Sequence, residues 1–391
     1  MGFGYRLLSR PLLAVQDSEK AHARSILGLK IMVSNPFTRA PLRLVYSPQS
    51  LPVVRFGLSY RNPFGLAAGM DKKAEAIRGW EALGLGFIEI GGVTAEEQPG
   101  NPKPRMFRSG TSKALVNRMG FNNPGSKKIA AKLNAHIMRY GRPSVPLWAN
   151  LGKSKNTPLE DAPLDYATTM ERLWNHCDVF VINVSSPNTP GLRSLQQREP
   201  LKNLLASTIK ARDEYASHAP LFVKLAPDLS VEDMVDVAHV VMETRIDGMI
   251  VSNTTNARPE ALVSRHKHER GGLSGEPIKE RSTECIRQMY KLTNGKVPII
   301  GSGGVASGRD AYDKLKAGAS CVEIYSSMVY EGPGVVSRIR KELVEIILEN
   351  GHKSIDDIIG ADQEDIYWDR RQERVRKRVK ERGSDEKVIK M

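Results

Sequence analysis

Eight short apolar segments recur along the 391-residue chain, and the stretches between them have the composition of helices. Strands that alternate with helices form parallel βαβ units, and eight such units indicate a closed barrel of about 250 residues. The sequence therefore predicts an α/β fold, a (β/α)8 TIM barrel over residues 65–350. The predicted strands are 65–68, 87–90, 147–150, 179–184, 221–225, 249–252, 297–301 and 321–325.

An open, doubly wound sheet is the alternative for the same alternation of strands and helices. Dinucleotide-binding sheets carry G-x-G-x-x-G at the first strand–helix turn, whereas this chain has Gly69-Met70-Asp71-Lys72 there. About fifty residues separate the second and third predicted strands, far more than the usual loop in such units. Loops after the strands form the catalytic face of a barrel, so this insertion is a candidate lid.

Residues 1–33 are predicted as two short helices that extend the barrel. No apolar run approaches the ~20 residues of a membrane-spanning helix. Apolar residues with interleaved basic residues are typical of helices at a membrane surface, so we expect a peripheral membrane contact, although a face of the barrel could bury the same residues. The apolar residues are Leu7, Leu8, Leu12, Leu13, Val15, Ala21, Ile26, Leu27 and Met32, and the basic ones are Arg6, Arg10, Lys20, Arg24 and Lys30.

Two further segments are recognised from proline and charge. Residues 34–64 contain five prolines, four of them between residues 36 and 52, and are interpreted as a linker leading into the barrel. Residues 351–391 are interpreted as a charged tail, because 370–382 carries eight Lys or Arg and two Glu. We expect a solvated helix there rather than a functional patch.

The formal net charge of +14 favours an anionic partner, which could be phosphate, nucleic acid or an acidic membrane. Cys177, Cys285 and Cys321 lack the spacing of a disulfide framework or a metal site, so we expect buried, reduced thiols. His266 and His268 lie in a predicted loop without carboxylate or cysteine partners nearby in sequence. We therefore predict no metal site.

Small and polar residues follow the predicted strands, at the end where barrel enzymes carry their active residues. Gly301-Ser302-Gly303-Gly304 follows strand seven, and small residues there let backbone N–H groups approach a phosphate. Lys224 lies within an apolar strand; burying an unpaired ammonium is costly, so we expect it to face an anionic ligand. These features suit a flavin with a small anionic heterocycle, which four asparagines could orient: Asn150, Asn183, Asn188 and Asn253.

Several segments resemble the signature segments of the dihydroorotate dehydrogenases, in unbroken order over roughly residues 5–362. Ser186 stands at the position of the family's catalytic base, where the soluble classes have cysteine. Serine there, together with N-terminal helices, resembles the quinone-linked, membrane-associated class. The segments that carry the resemblance are 66–72, 117–123, 183–191, 224–230, 271–275, 298–304, 317–320 and 324–326.

The resemblance implies oxidation of dihydroorotate to orotate by bound FMN, with a quinone (ubiquinone) as electron acceptor, in pyrimidine biosynthesis. It implies Ser186 as the catalytic base and, for a eukaryotic source, a peripheral location at the mitochondrial inner membrane. Implied substrate residues are Lys72, Asn117, Arg118, Met119, Gly120, Phe121, Asn183, Asn188, Asn253 and Thr254. Implied FMN residues are Ala68, Gly69, Gly92, Asn150, Asn183, Lys224, Ser252, Gly275, Gly304, Tyr325 and Ser326. Implied quinone residues are His22, Arg108 and Tyr325.

Three positions depart from the family pattern. Gly92 stands where a hydroxyl residue is usual near the flavin, Ser252 replaces a usual threonine, and Glu323 stands where glutamine is common. The change at position 92 puts one flavin hydrogen bond in doubt. The tail beyond Asp362 has no counterpart in the family pattern.

Three rival functions fit parts of the sequence. A soluble dihydroorotate dehydrogenase is disfavoured by Ser186 and the N-terminal helices, and a dihydrouridine synthase would need an RNA-binding domain that the sequence does not indicate. The net charge of +14 and the basic tail would suit a nucleic-acid-binding protein. The sequence, however, has no nucleic-acid recognition motif and no aromatic platform. We therefore expect no nucleic-acid partner.

Overall fold

The computed structural model describes residue 5 and residues 10–46, 51–215, 219–367 and 369. Eight parallel strands close into a barrel in the order β3-β4-β7-β8-β9-β10-β12-β13, which confirms the predicted fold. The strands are β1 Val53–Arg55, β2 Leu58–Tyr60, β3 Phe64–Asp71, β4 Phe87–Val93, β5 Met106–Ser109, β6 Ala114–Asn117, β7 Leu147–Leu151, β8 Val179–Asn183, β9 Leu221–Leu225, β10 Gly248–Val251, β11 Gly272–Gly275, β12 Ile299–Ser302 and β13 Ala319–Ile324.

Helices lie between the barrel strands and at both ends of the described chain. Side-chain caps start several of them: Asp17 accepts hydrogen bonds from two backbone N–H groups of α2, and Ser230 with Asp233 forms a capping box on α8. The helices are α1 Arg10–Ala14, α2 Ser18–Ser34, α3 Pro36–Tyr46, α4 Ile77–Ala82, α5 Ser126–Tyr140, α6 Ala162–Leu173, α7 Arg198–Tyr215, α8 Val231–Thr244, α9 Lys279–Leu292, α10 Gly308–Ala317, α11 Ser326–Glu331 and α12 Val335–Glu349.

Aromatic rings fill the amino-terminal end of the barrel. The β1–β2 hairpin brings Phe56 and Tyr60 against three rings from barrel strands, Phe87, Trp148 and Phe222. Most of these pairs meet edge to face, an arrangement that aromatic quadrupoles favour, while Phe87 and Trp148 stack at 4.5 Å. Ligands therefore have access to the barrel interior from its opposite end.

A polar layer lies directly above these rings. Side chains of a strand alternate in direction, so the residues two positions after Phe87, Trp148 and Phe222 also point inward. These residues are Glu89, Asn150 and Lys224, and all three are buried. Glu323 of β13 completes the layer.

The N-terminal helices bury one apolar side and expose another. Ala21, Ile26 and Val33 of α2 are buried, whereas Leu12 of α1 and Leu27 of α2 are 67% and 55% exposed. The protein therefore buries part of this apolar surface and leaves part exposed, and the peripheral membrane contact stays a prediction. Leu7 and Leu8 lie outside the described residues. Within the described ranges, no helix has the length and apolar character needed to cross a membrane.

The predicted linker contains a helix that the prolines obscured. Pro36 is the first residue of α3, where a missing N–H group has no intrahelical partner to lose. The Asn35 side chain accepts a hydrogen bond from the Phe37 N–H at 2.8 Å and so supports the start of the helix. Residues 34–64, predicted as a linker leading into the barrel, therefore include this helix.

The start of the predicted tail packs against the rest of the chain. Ile355, Ile358 and Ile359 are buried, and the Tyr367 hydroxyl donates to the Asp357 carbonyl at 2.6 Å. The basic run 370–382 lies outside the described residues. The division of the chain at residues 33, 64 and 350 stays a prediction.

Candidate active site

A cleft of about 1340 Å³, including space open to solvent, lies at the carboxyl ends of the barrel strands. The antiparallel sheet β5-β6-β11 borders it, and two of these strands come from the long insertion after β4. The cleft brings together most of the predicted site residues. They are Lys72, Asn117, Met119, Gly120, Phe121, Asn183, Ser186, Asn188, Asn253, Thr254, Ala68, Gly69, Gly92, Asn150, Lys224, Ser252, Gly275, Gly304, Tyr325 and Ser326.

Lys224 lies at the buried end of the cleft between two carboxylates. Its Nζ donates to Glu89 Oε2 and to Glu323 Oε2, each at 3.0 Å. Burial opposes the charged ammonium, but Glu323 and Glu89 outweigh it and raise the pKa of Lys224. The protein therefore supplies the counter-charge of Lys224 through two carboxylates, and the expectation that Lys224 faces an anionic ligand stays a prediction.

The two carboxylates differ in their other partners. Glu89 Oε2 also accepts from the Ala68 N–H at 2.6 Å, and Glu89 Oε1 accepts from Asn150 Nδ2 at 2.8 Å. Glu323 Oε1 is buried and has no hydrogen-bond partner. Burial and the neighbouring Glu89 raise the pKa of Glu323 to about 8.

A chain of amides continues from Glu89 towards the loop after β8. Asn183 Nδ2 donates to Asn150 Oδ1 at 2.9 Å, and Asn253 Nδ2 donates to Asn183 Oδ1 at 3.2 Å. Asn188 approaches Asn117 on β6, with 3.4 Å from Nδ2 to Oδ1. These contacts hold amide groups from four parts of the chain along one cleft, as a flat polar ligand would require.

Ser186 lies in the same loop and is 8% exposed. Its Oγ accepts from the Asn188 N–H at 3.3 Å. Since the hydroxyl borders the cleft, it can reach a ligand.

Lys72 lies on the side of the cleft nearest the N-terminal helices. Its Nζ donates to the Gly69 carbonyl at 2.6 Å, and burial lowers its pKa to about 8. His22 of α2 faces Lys72 and the Met70 backbone; burial and the lysine charge lower its pKa to about 3. His22 is therefore neutral at physiological pH, and Lys72 holds most of the positive charge between them.

The loop after β6 places Phe121 in a slot that Gly92 leaves open. A Cβ atom at Gly92 would lie 2.5 Å from the Phe121 ring, and one at Gly152 would lie 3.0 Å from it. Any larger residue at position 92 would displace the ring. Packing against Phe121 therefore explains the glycine at position 92, where the family pattern has a hydroxyl residue.

Glycines and serines after β11, β12 and β13 form a cradle of suitable shape for a phosphate. Gly304 has φ +73°, and a Cβ there would lie 2.5 Å from Lys279 Cβ. Ser326 Oγ lies 3.1 Å from Ser274 Oγ, and Ser327 Oγ is buried without a partner. Close backbone and an unsatisfied hydroxyl fit a phosphate, and the buried lysine and amides fit the ring of a flavin. These residues therefore fit FMN.

Three predicted residues do not border the cleft. Arg118 pairs with Glu269 at 2.7 Å and packs 4.7 Å from the centre of the Phe107 ring. Arg108 donates to the carbonyls of Leu13, Ala14 and Gln16, so it connects β5 to the segment between α1 and α2. His22 is the third, and it reaches the site through Lys72.

Tyr325 joins the cleft to the N-terminal side. Its hydroxyl donates to the Gly69 carbonyl at 3.3 Å, the same oxygen that accepts from Lys72. Burial raises the pKa of Tyr325 to about 12, so the phenol stays protonated.

Glu89 is the main site residue that the sequence analysis missed. It follows Phe87 and Ile88 and precedes Ile90, so it was counted within an apolar strand. A charged residue in such a strand is the same signal that identified Lys224. Ser274 and Tyr330, which also border the cleft, gave no comparable signal.

The three cysteines are free and buried, as predicted. Within the described ranges, no three His, Cys, Asp or Glu side chains group in a way that could hold a metal ion.

Comparison with known proteins gives one consistent family. A family model described as dihydroorotate dehydrogenase matches residues 50–347. A Deinococcus deserti protein named dihydroorotate dehydrogenase (quinone) is 42% identical over 365 residues, which cover 92% of this chain and 99% of the relative. A Halobacterium salinarum protein of the same name is 48% identical over 312 residues, covering 80% and 86% of the two chains.

A relative from a eukaryote and a solved structure agree with this result. The rice protein named dihydroorotate dehydrogenase (quinone), mitochondrial, is 42% identical over 91% of this chain and 79% of its own length. The crystal structure of ligand-free DHODH from Eimeria tenella superposes with a TM-score of 0.81 at 41% identity, covering 89% of this chain and 99% of that one.

We predict that Lys224→Met destabilises the fold by about 3–5 kcal/mol, because it leaves two buried carboxylates without a cation. Burial already raises the pKa of Glu323 in the wild type, and loss of the lysine charge removes the interaction that opposes this shift. Stability is therefore lost as pH rises from the pKa of an unfolded glutamate, about 4.3, towards the higher pKa of folded Glu323. Urea unfolding should show that the variant loses more free energy of unfolding, relative to wild type, at pH 8 than at pH 5.

Lys128→Met is the matched control, because Lys128 pairs with Glu97 at the surface with both side chains more than 60% exposed. Its free energy of unfolding should change little. A Lys224→Met loss no greater than that of the control would contradict the prediction.

Proposed function

This chain belongs to the dihydroorotate dehydrogenase family, and we propose that it oxidises dihydroorotate with bound FMN and passes the electrons to ubiquinone. Family membership makes it an oxidoreductase of pyrimidine biosynthesis, of the kind named quinone-linked in its relatives. The observation that carries the proposal is a single cleft bordered by Ser186, Lys72, the amides and the cradle after β12.

Ser186 acts as the base that removes the proton from C5 of dihydroorotate. Bound FMN supplies the acceptor for the hydride that leaves C6. A serine hydroxyl is a weak base at neutral pH, so the proton must move on through water or through Thr189. Ser186 borders a cleft that includes space open to solvent, and water in the cleft can take part in this transfer.

The other side chains orient the substrate and balance charge. Lys72 pairs with the substrate carboxylate, and the amides of Asn117, Asn183, Asn188 and Asn253 hold the ring. Thr254 and the 118–121 segment complete the substrate site, with Phe121 over the ring.

The flavin site uses the buried end of the cleft and its cradle. Lys224 holds positive charge beside the flavin ring, and the cradle after β11, β12 and β13 holds the phosphate. The FMN residues are Ala68, Gly69, Gly92, Asn150, Asn183, Lys224, Ser252, Gly275, Gly304, Tyr325 and Ser326.

Quinone reaches the site from the N-terminal helices, past His22, Arg108 and Tyr325. The approach of His22 on α2 to Lys72 supports this route, because Lys72 borders the cleft and shares the Gly69 carbonyl with Tyr325. The exposed apolar residues of α1 and α2 contact the membrane. For a eukaryotic source we propose the mitochondrial inner membrane, in line with the name of the rice relative.

One experiment tests the whole proposal. Purified protein should be yellow and should reduce a quinone-coupled dye only when dihydroorotate is present. A colourless protein that gains no activity when FMN is added would overturn it.

We predict that Ser186→Ala keeps FMN but reduces it ~10²–10⁴-fold more slowly with dihydroorotate, the usual effect of losing a general base. Stopped-flow bleaching of the flavin measures this step. Ser194→Ala is the control, because its hydroxyl donates to the Gly191 carbonyl and does not border the cleft. Bleaching at the wild-type rate in Ser186→Ala would remove Ser186 from the mechanism.

We predict that Lys72→Ala weakens orotate binding by ~10-fold or more, since a hydrogen bond to a charged group contributes about 1.5–3 kcal/mol. The variant should retain FMN. Titration of the flavin spectrum with orotate gives the affinity. The adjacent, exposed Lys73 provides the control substitution Lys73→Ala, and an unchanged affinity in Lys72→Ala would exclude carboxylate pairing.

We predict that Leu27→Ser with Ile31→Ser reduces binding to anionic liposomes by ~10-fold or more, because buried leucine and isoleucine each contribute up to ~1.5–3 kcal/mol. Both side chains are more than half exposed on α2. Reoxidation by a long-tailed quinone should also fall more than reoxidation by a small soluble dye.

The control for that pair is Leu164→Ser with Val231→Ser, which are similarly exposed on α6 and α8. Liposome binding should stay at the wild-type value in this control. An equal loss in both double variants would argue against a specific membrane contact at α2.

A further inference from the structure

Three ionisable groups meet in the polar layer of the barrel, away from solvent. Lys224 Nζ lies 3.0 Å from a carboxylate oxygen of Glu89 and 3.0 Å from one of Glu323. All three residues are at most 4% exposed. If both carboxyls were ionised, the cluster would carry a net buried charge of about one negative unit, which burial strongly disfavours.

One bound proton removes this net charge, and the hydrogen bonds place it on Glu323. Glu89 accepts from the Ala68 N–H, from Asn150 Nδ2 and from Lys224. Among the described residues, Lys224 is the one hydrogen-bond donor to Glu323. Fewer donors therefore stabilise the ionised form of Glu323, and burial beside Glu89 raises the pKa of Glu323 to about 8.

The side chain of Glu323 lies beneath the surface of the cleft. It has no exposed area, although the residue borders the cleft. Its Oε1 has no hydrogen-bond partner among the described residues, and its carboxyl lies within hydrogen-bonding reach of Glu89. A protonated carboxyl can donate one hydrogen bond, so a proton on Glu323 can be shared with Glu89 inside the cluster.

The surroundings of Glu323 contain few other titratable groups. Glu89 faces it from β4 and Lys224 from β9. Its neighbours in the sheet are β3 and β12, which place Gly65 and Ser302 opposite it. The charge state of Glu323 is therefore set by Glu89, Lys224 and the ligand of the cleft.

We propose that Glu323 is a buried acid beneath the flavin site that holds a proton at neutral pH and, on losing it above neutral pH, weakens the preference of the site for reduced flavin. The inference rests on the proposed FMN site. Reduction places more negative charge on the flavin, so a newly ionised carboxylate beside it destabilises the reduced form more than the oxidised form.

The sign of the pH dependence follows from the raised pKa of Glu323, about 8. Below that value the carboxyl is neutral and the cluster carries no net charge. Above it the cluster becomes negative, and the reduction potential of bound flavin should fall more steeply with pH. Glu323→Gln keeps the shape and a hydrogen-bond donor but cannot ionise.

The test is the midpoint potential of bound flavin, measured by equilibration with reference dyes between about pH 6 and pH 9.5. Plotted against pH, the midpoint potentials of wild type and Glu323→Gln should be parallel below pH 7 and should diverge above pH 8. At the alkaline end the wild type should prefer reduced flavin ~10-fold less than the variant, which is about 30 mV for a two-electron couple. Parallel lines over the whole range would overturn the proposal.

Glu276→Gln is the matched control, because Glu276 also borders the cleft but its side chain is 41% exposed. The flavin midpoint potential of Glu276→Gln should still fall more steeply with pH in the alkaline range, as in the wild type. Loss of this steeper fall in Glu276→Gln would assign the titration to the wrong residue and overturn the proposal.

A second measurement covers the case in which Glu323→Gln does not fold. Infrared difference spectra of the wild-type holoenzyme should show the carbonyl stretch of a buried protonated carboxyl at pH 7, which shifts on flavin reduction and disappears towards pH 9.5. Absence of this band at pH 7 would contradict the proposal. A protein that binds no FMN at all would instead contradict the proposed function, so the two failures are distinguishable.

Discussion

The ion cluster of Lys224, Glu89 and Glu323 is the constraint around which the barrel interior is organised. Charges buried this deeply are stable only when every partner is in place, and their contacts join β4, β9 and β13 across the barrel. The aromatic layer below closes the amino-terminal end, so water and ligands have access only from above. The cluster is therefore both a structural element and the floor of the cleft.

The N-terminal helices are connected to this cleft by polar contacts as well as by apolar packing. Glu19 of α2 pairs with Arg105 through two hydrogen bonds of 3.0 and 2.7 Å. His22 faces Lys72, and Lys72 and Tyr325 share the Gly69 carbonyl. A change in the position of α2 would therefore alter the charge environment of Lys72, which makes the access route and the substrate site mutually dependent.

The sequence predicted the elements that repeat and missed those that depend on tertiary contacts. Each predicted strand overlaps a strand of the barrel, because a buried parallel strand must be apolar on both faces. Glu89 was missed since its compensation by Lys224 comes from a strand far away in sequence. Helix α3 was missed because prolines normally end helices, and the pairing of Arg118 with Glu269 in a distant loop had no signal in the sequence.

The two larger departures from the family pattern change the same cleft in related ways. Gly92 on β4 carries no hydroxyl and leaves room for the Phe121 ring, so that side of the cleft becomes less polar. Glu323, two strands away on β13, brings a carboxyl whose free oxygen has no protein partner. The polarity of this side of the cleft then depends less on fixed hydroxyls and more on a buried group that can ionise. The electrostatics of the site therefore become sensitive to pH at the ion cluster that forms the floor of the cleft.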